Sequence, residues 1–246
     1  MGKKLLVFAL LLGCLWISTG EVFGQAPAGE PEAGTPSQHG MSWFDLFKTT
    51  GPVGVLLLIT SIIGTGLLIQ YMRTITETNL SNPEMLAEIE GMLTEGNYED
   101  AMARLETDQT YAGKVLFAAL NRSSAGYEEA TKAMEETSTV EAFRLNASIS
   151  YLSLVGNIGP LLGLLGTVTG MISSFQQIEK LKSPTPGDLA KGVYESLVNT
   201  TIGLFIAIVF LTAYFFMKNK LTDITLRVNN QITDVLSRTV GQTADQ

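Results

Sequence analysis

The sequence holds one cysteine (Cys14) and one histidine (His39) in 246 residues. Zinc sites of the Cys/His kind and disulfide frameworks both need several such residues, so both are excluded. No constellation of nucleophile, base and orienting group can be assembled from what remains, which argues against an enzyme. Charge is also scarce. Asp, Glu, Lys and Arg make up 16% of the chain, against roughly 25% in a typical soluble protein. The balance is acidic, with 24 Asp and Glu against 16 Lys and Arg and a net charge of −8, which argues against an electrostatic nucleic-acid binder. Few charges with a positive mean hydropathy of +0.23 point to a chain that lives partly in lipid. Any chemistry must be done with Thr, Asn, Glu and backbone.

Residues 1–24 read as a cleavable signal peptide. Lys3 and Lys4 form a basic start, residues 5–17 an apolar run, and Val22-Phe23-Gly24 a small-residue cut site. Two other readings of this leader stand beside it: a lipid-modified Cys14 after Leu12-Gly13, and an uncleaved anchor. Residues 25–41 carry Pro27, Pro31 and Pro36 with three glycines and almost nothing to bury, so they read as a flexible periplasmic tether. Residues 42–50 concentrate Trp43, Phe44 and Phe47 just ahead of a long apolar run, as an interfacial segment does.

Three further segments are long enough to cross a bilayer, which takes about 20 residues: 51–72, 149–175 and 193–217. The first two contain no Asp, Glu, Lys or Arg, and the third contains only Glu195. Basic residues set the orientation. Six lie between spans one and two, from Arg73 to Arg144, and four follow span three, from Lys218 to Arg238; Lys48, Lys180, Lys182 and Lys191 lie on the other side. The positive-inside rule therefore places 73–148 and 218–246 in the cytoplasm, with the mature N-terminus and the 176–192 loop in the periplasm. The expected architecture is an all-α, multi-pass membrane protein with a helical cytoplasmic extension.

Within 73–148, Asn82-Pro83-Glu84 marks a helix start. Met85, Ile89, Met92 and Leu93 follow at helical spacing, and Gly96-Asn97 breaks the pattern. Residues 128–145 form a further helix running towards span two. After span three, Leu221, Ile224, Leu226, Val228, Ile232 and Val235 keep helical spacing, so span three is expected to continue out of the membrane.

Span two carries Gly156, Gly159, Gly163, Gly166 and Gly170, at intervals of 3, 4, 3 and 4. This is one small stripe, suited to close helix packing in lipid. Pro160 inside it should kink the helix or free a carbonyl. Thr167 and Thr169 border the stripe. A membrane Thr has two readings: a bond to its own helix or a role on a polar path. In span three, Glu195, Ser196, Asn199, Thr200, Gly203 and Ala207 fall within an arc of about 140° at 100° per residue. One face is thus polar and small while the other is greasy. A polar membrane face should meet a water path or a polar partner. Glu195 is either an interfacial cap or an ion-path residue. The chain offers one membrane carboxylate and no Lys or His to alternate with it, so a partner helix supplying the carrier is expected against the small and polar faces of spans two and three.

Residues 159–171 (GPLLGLLGTVTGM) with Phe175 resemble the span-two signature of the MotA/TolQ/ExbB proton channel family, and residues 194–204 (YESLVNTTIGL) resemble its span-three signature. The likeness covers roughly residues 42–235. It implies a homopentamer around two helices of a smaller single-span partner, ExbD-like or TolR-like, whose membrane Asp binds and releases protons. It implies that Thr167, Thr200 and Glu195 take the family's functional positions. It further implies rotation that drives a periplasm-spanning, TonB-like or TolA-like protein. No cofactor is implied beyond the coupling ion. Asn199 and Thr201 stand where small apolar residues are usual, so sodium is not excluded. The expected function is thus an inner-membrane proton-channel subunit. A flagellar-type stator subunit and a non-conducting oligomeric scaffold are the alternatives.

Overall fold

The computed structural model describes residues 51–180 and 186–240. The expected signal peptide, tether and interfacial segment lie outside the described residues. Seven α-helices are described: α1 (Gly51–Thr74), α2 (Glu77–Ser81), α3 (Pro83–Thr94), α4 (Tyr98–Glu106), α5 (Tyr111–Asn121), α6 (Tyr127–Lys180) and α7 (Pro186–Thr239). A 3-10 turn at Ser123–Ala125 precedes α6. No strand occurs among the described residues.

Helices α1, α6 and α7 are long and apolar enough to cross a membrane. Helix α1 would fit the membrane by itself. Helices α6 and α7 are each 54 residues long, about 80 Å at 1.5 Å per residue, against a hydrocarbon core of about 30 Å. The excess is built into a helical domain. Two segments read separately from the sequence, 128–145 and span two, are therefore one uninterrupted helix. The hydropathy changes near residue 148, but nothing there ends a helix. Helix also extends into both edges of the stretch read as a loop, up to Lys180 and from Pro186, a residue suited to a first helical turn.

Helix α1 packs Val53 and Leu57 against Leu152 and Val155 of α6 and Ile206 and Phe210 of α7. Gly64 permits this contact, since a β-carbon there would meet the Phe210 ring at 2.6 Å. The rest of α1 turns apolar side chains outward, Ile62 at 63% exposure among them. In water that surface would be unstable; in lipid it is the expected one.

The helical domain has its own core. Met85, Ile89 and Leu93 of α3, Val115 and Leu116 of α5, and Leu221, Val228, Ile232 and Leu236 of α7 are all buried in one cluster. Leu226, grouped with this face in the sequence, is exposed instead. The sharp turn from α2 to α3 is made by Asn82 at φ 39, a left-handed conformation, which Asn tolerates better than most residues. Its side chain accepts from Met85 N at 3.4 Å and Pro83 follows it in the first turn, so the start expected at Asn82-Pro83 is present. Gly96 at φ 83 ends the next turn. Side-chain ties hold the domain to the long helices. Lys220 Nζ donates to the Ile75 carbonyl at 2.6 Å, just past the end of α1, and Lys114 pairs with Glu141 at 3.4 Å.

Candidate functional site

The glycine stripe of α6 meets the small and polar face of α7. The helices run antiparallel here, so the pairs follow in order. A β-carbon on Gly170 would strike the Ser196 hydroxyl. One on Gly166 would lie 2.7 Å from Asn199 Cβ, and one on Gly163 would lie 2.9 Å from Thr200 Cα. One on Gly159 would lie 2.8 Å from the Gly203 carbonyl. One on Gly156 would meet Leu211 Cγ at 2.7 Å. These contacts have little room for any side chain on the α6 side, which is why the stripe is glycine.

Ser196 and Asn199 are consequently buried, at 3% and 5% exposure. The sequence reading turned this face towards a partner helix. Within the chain the small and polar faces of α6 and α7 instead close on each other. The physical reason is shape: Ser, Asn and Gly are small enough to seat on a glycine ridge. Ser196 satisfies its hydroxyl by donating to the Gly192 carbonyl at 2.8 Å.

Thr200 sits at the margin of this contact and is half-buried. Its hydroxyl donates to the Gly163 carbonyl of α6 at 3.2 Å. In α-helical geometry the same carbonyl receives the Thr167 N–H, four residues on. The Thr200 hydroxyl and the Thr167 backbone therefore converge on one oxygen. The Thr167 hydroxyl turns to its own helix, donating to the Leu164 carbonyl at 2.7 Å, and Thr169 does the same to Leu165 at 2.8 Å. Thr167 remains half-buried at the edge. Thr200 and Thr167 thus share one seam, while Ser196 and Asn199 lie inside it. Glu195 stands in α7 one residue before Ser196; its side chain lies outside what is described.

Pro160 is accommodated in α6 without a break. It has no N–H, so the Gly156 carbonyl loses its helical donor. Two polar residues that the sequence reading passed over lie one turn and two turns further towards the helical domain. Asn157 is exposed on the apolar part of α6, and its Nδ2 donates to the Ser153 carbonyl at 2.8 Å and to Ser153 Oγ at 3.3 Å. The signal that could have found them was the same uncharged polarity inside a span that singles out Thr167, Ser196 and Asn199.

Residues 107–230 match the family described as the MotA/TolQ/ExbB proton channel family. A biopolymer transport protein ExbB homolog from Methanothermobacter thermautotrophicus is 26% identical over 182 residues, covering 73% of this chain and 64% of the relative. The Tol-Pal system protein TolQ of Pseudomonas aeruginosa is 38% identical over 87 residues, covering 35% of this chain and 38% of the relative. The chain thus spans less than two thirds of the length of these relatives. Among solved structures, C. jejuni MotAB superposes with a TM-score of 0.56 at 16% identity, over 94% of this chain and 88% of the other. That likeness is one of fold.

Proposed function

The chain belongs to the MotA/TolQ/ExbB proton channel family, and we propose that it is an inner-membrane subunit that couples proton flow to movement. Its carrier is a membrane Asp on an ExbD-like or TolR-like single-span partner. The working unit is a homopentamer of this chain around the partner's helices, and the driven element is a TonB-like or TolA-like protein crossing the periplasm. The helical domain and the C-terminus are cytoplasmic. Relatives named ExbB and TolQ support a proton-channel subunit in general.

The observation that carries the proposal is the Thr200–Gly163 bond at 3.2 Å. It fixes a hydroxyl at the edge of a seam otherwise closed by glycine. A hydroxyl both donates and accepts, so when its proton turns from the Gly163 carbonyl to a neighbouring carboxylate it can take another from a water and remain neutral. Thr167 borders the same seam, and Glu195 supplies the chain's own membrane carboxylate. The carboxylate that titrates during turnover comes from the partner, because this chain has no second Asp or Glu, and no Lys, Arg or His, in its spans.

The test is a proton flux measurement in proteoliposomes holding this chain and the single-span partner. The intact complex should dissipate an imposed pH gradient, and Thr200→Val should stop it while the complex still assembles. A complex that assembles with its partner and never dissipates the gradient would replace the channel by an oligomeric scaffold.

A further inference from the structure

Given the channel role proposed above, we infer that Asn157, with Ser153, lines the route by which the ion leaves the Thr167–Thr200 seam towards the helical domain. Taking Gly163 as the origin at 100° per residue, Thr167 lies at about 40°, Pro160 at 60°, Ser153 at 80°, Asn157 at 120° and Ser150 at 140°. These positions make one arc of α6. The contacts with α1 fall away from this arc, through Leu152 within the stripe and Val155 beyond it, at about 340° and 280° on the same wheel. Among the described residues no helix covers the arc at Asn157, which is exposed.

Along the helix the arc carries one apolar residue between Thr167 and Pro160, the exposed Leu164 at about 100°. Asn157 lies about 15 Å from the level of Thr167, and Ser150 about 26 Å, at 1.5 Å per residue. Between Thr167 and Asn157 the Pro160 ring leaves the Gly156 carbonyl without its helical donor. Asn157 spends its amide on Ser153, and among the described residues nothing donates to its Oδ1. Asn157 Oδ1 is therefore an exposed acceptor without a donor among the described residues, next to a Gly156 carbonyl that lacks its helical one, on a candidate membrane-crossing helix. Hydrocarbon cannot supply donors, and leaving such groups dry is costly. Water can supply them, and a site with several polar partners holds water. The α6–α7 contact cannot be the route at this depth, because Gly159 and Gly203 meet there with no space between them.

Thiol labelling decides the point. Cys14 is the chain's single cysteine, so Asn157→Cys on a Cys14→Ser background gives one reporter. The complex with its partner is treated with a charged, membrane-impermeant methanethiosulfonate. The reagent reacts with the thiolate, which forms in water and not in hydrocarbon. Asn157→Cys should label from the side of the helical domain, and Ile62→Cys, on the outer face of α1, should not label. Asn157→Leu should slow proton flux by at least about tenfold, with the complex still recovered intact, and Asn157→Ser should restore most of it. An unlabelled Asn157→Cys, as a dry contact with a neighbouring helix would give, overturns the inference. So does normal flux in Asn157→Leu when Thr200→Val has stopped it, and both results leave the channel reading standing. Absence of flux in the unaltered complex overturns the channel reading, and this route with it.

Discussion

Gly159 and Gly203 touch backbone to backbone across the two long helices. A β-carbon on Gly159 would come within 2.8 Å of the Gly203 carbonyl, and one on Gly203 within 2.5 Å of the Gly159 carbonyl. The relationship is reciprocal, so neither residue can be enlarged by moving the other's side chain. This pinch sets the spacing of α6 and α7, and it brings Thr200, three residues from Gly203, within reach of the Gly163 carbonyl.

Gly203→Ala should therefore destabilise the chain even though alanine is the better helix former. The intruding methyl meets backbone, which cannot rotate away, and the expected cost is about 1–3 kcal/mol. Gly91→Ala is the contrasting case. Gly91 is inside α3, and a β-carbon there has nothing within 4 Å, so the substitution should stabilise by about 0.5–1 kcal/mol. Thermal unfolding of the two variants in detergent should move in opposite directions. A melting temperature that rises in Gly203→Ala would contradict the pinch.

Thr200→Val should separate stability from function. The lost hydroxyl bond is an interhelical one in an apolar setting, and such bonds contribute about 0.6 kcal/mol on average. The Gly163 carbonyl keeps its helical donor, so no acceptor is stranded. The melting temperature should move little while proton flux stops. Thr200→Ser keeps the hydroxyl and should retain flux. A large melting shift in Thr200→Val would make the bond structural rather than functional.

The spans were legible because uncharged apolar runs of that length have few other uses, and the start at Asn82-Pro83 because its side chains have mechanical roles in capping. The outward extension of α7 was legible too, since Leu221, Ile224, Val228 and Ile232 keep the helical period. What each face meets was not. A glycine stripe announces close approach but not the approaching helix. A face of Ser, Asn, Thr and Gly reads equally as wet or as small, and here Ser196 and Asn199 are enclosed by α6. The continuity of α6 from Tyr127 to Lys180 was hidden for a similar reason: hydropathy reports the medium, not the backbone.

Asn82 should be replaceable by glycine and not by alanine. Its φ of 39 costs an ordinary residue about 1–2 kcal/mol, and alanine would also forfeit the cap on Met85 N, worth about 1 kcal/mol. Glycine loses the cap but adopts the backbone freely, for a few tenths of a kcal/mol. Hydrogen exchange over α2 and α3 should accelerate in Asn82→Ala and stay near the parent rate in Asn82→Gly. Equal rates in the two variants would remove the backbone argument.

The helical domain should lose stability at alkaline pH through Tyr111. This phenol is buried at the start of α5 and donates to Asn229 Oδ1 of α7 at 2.8 Å. Burial raises its pKa above the ordinary 10.0, hydrogen bonds with Ser138 and Asn229 oppose the rise, and the Glu141 carboxylate adds to it. The unfolded chain releases this proton near pH 10, whereas the folded chain still holds it there. The contribution is thus complete below about pH 10 and falls as the pH climbs from there through the folded value. Tyr111→Phe lacks the titration. At neutral pH it should be less stable than the parent by about 1 kcal/mol, for the lost bond to Asn229. That gap should close as the pH passes 10, because only the parent is then losing stability at this position. Melting temperatures of the two proteins from pH 7 to about pH 11 measure the gap directly. A gap that stays constant or widens would mean that Tyr111 is not the group being titrated.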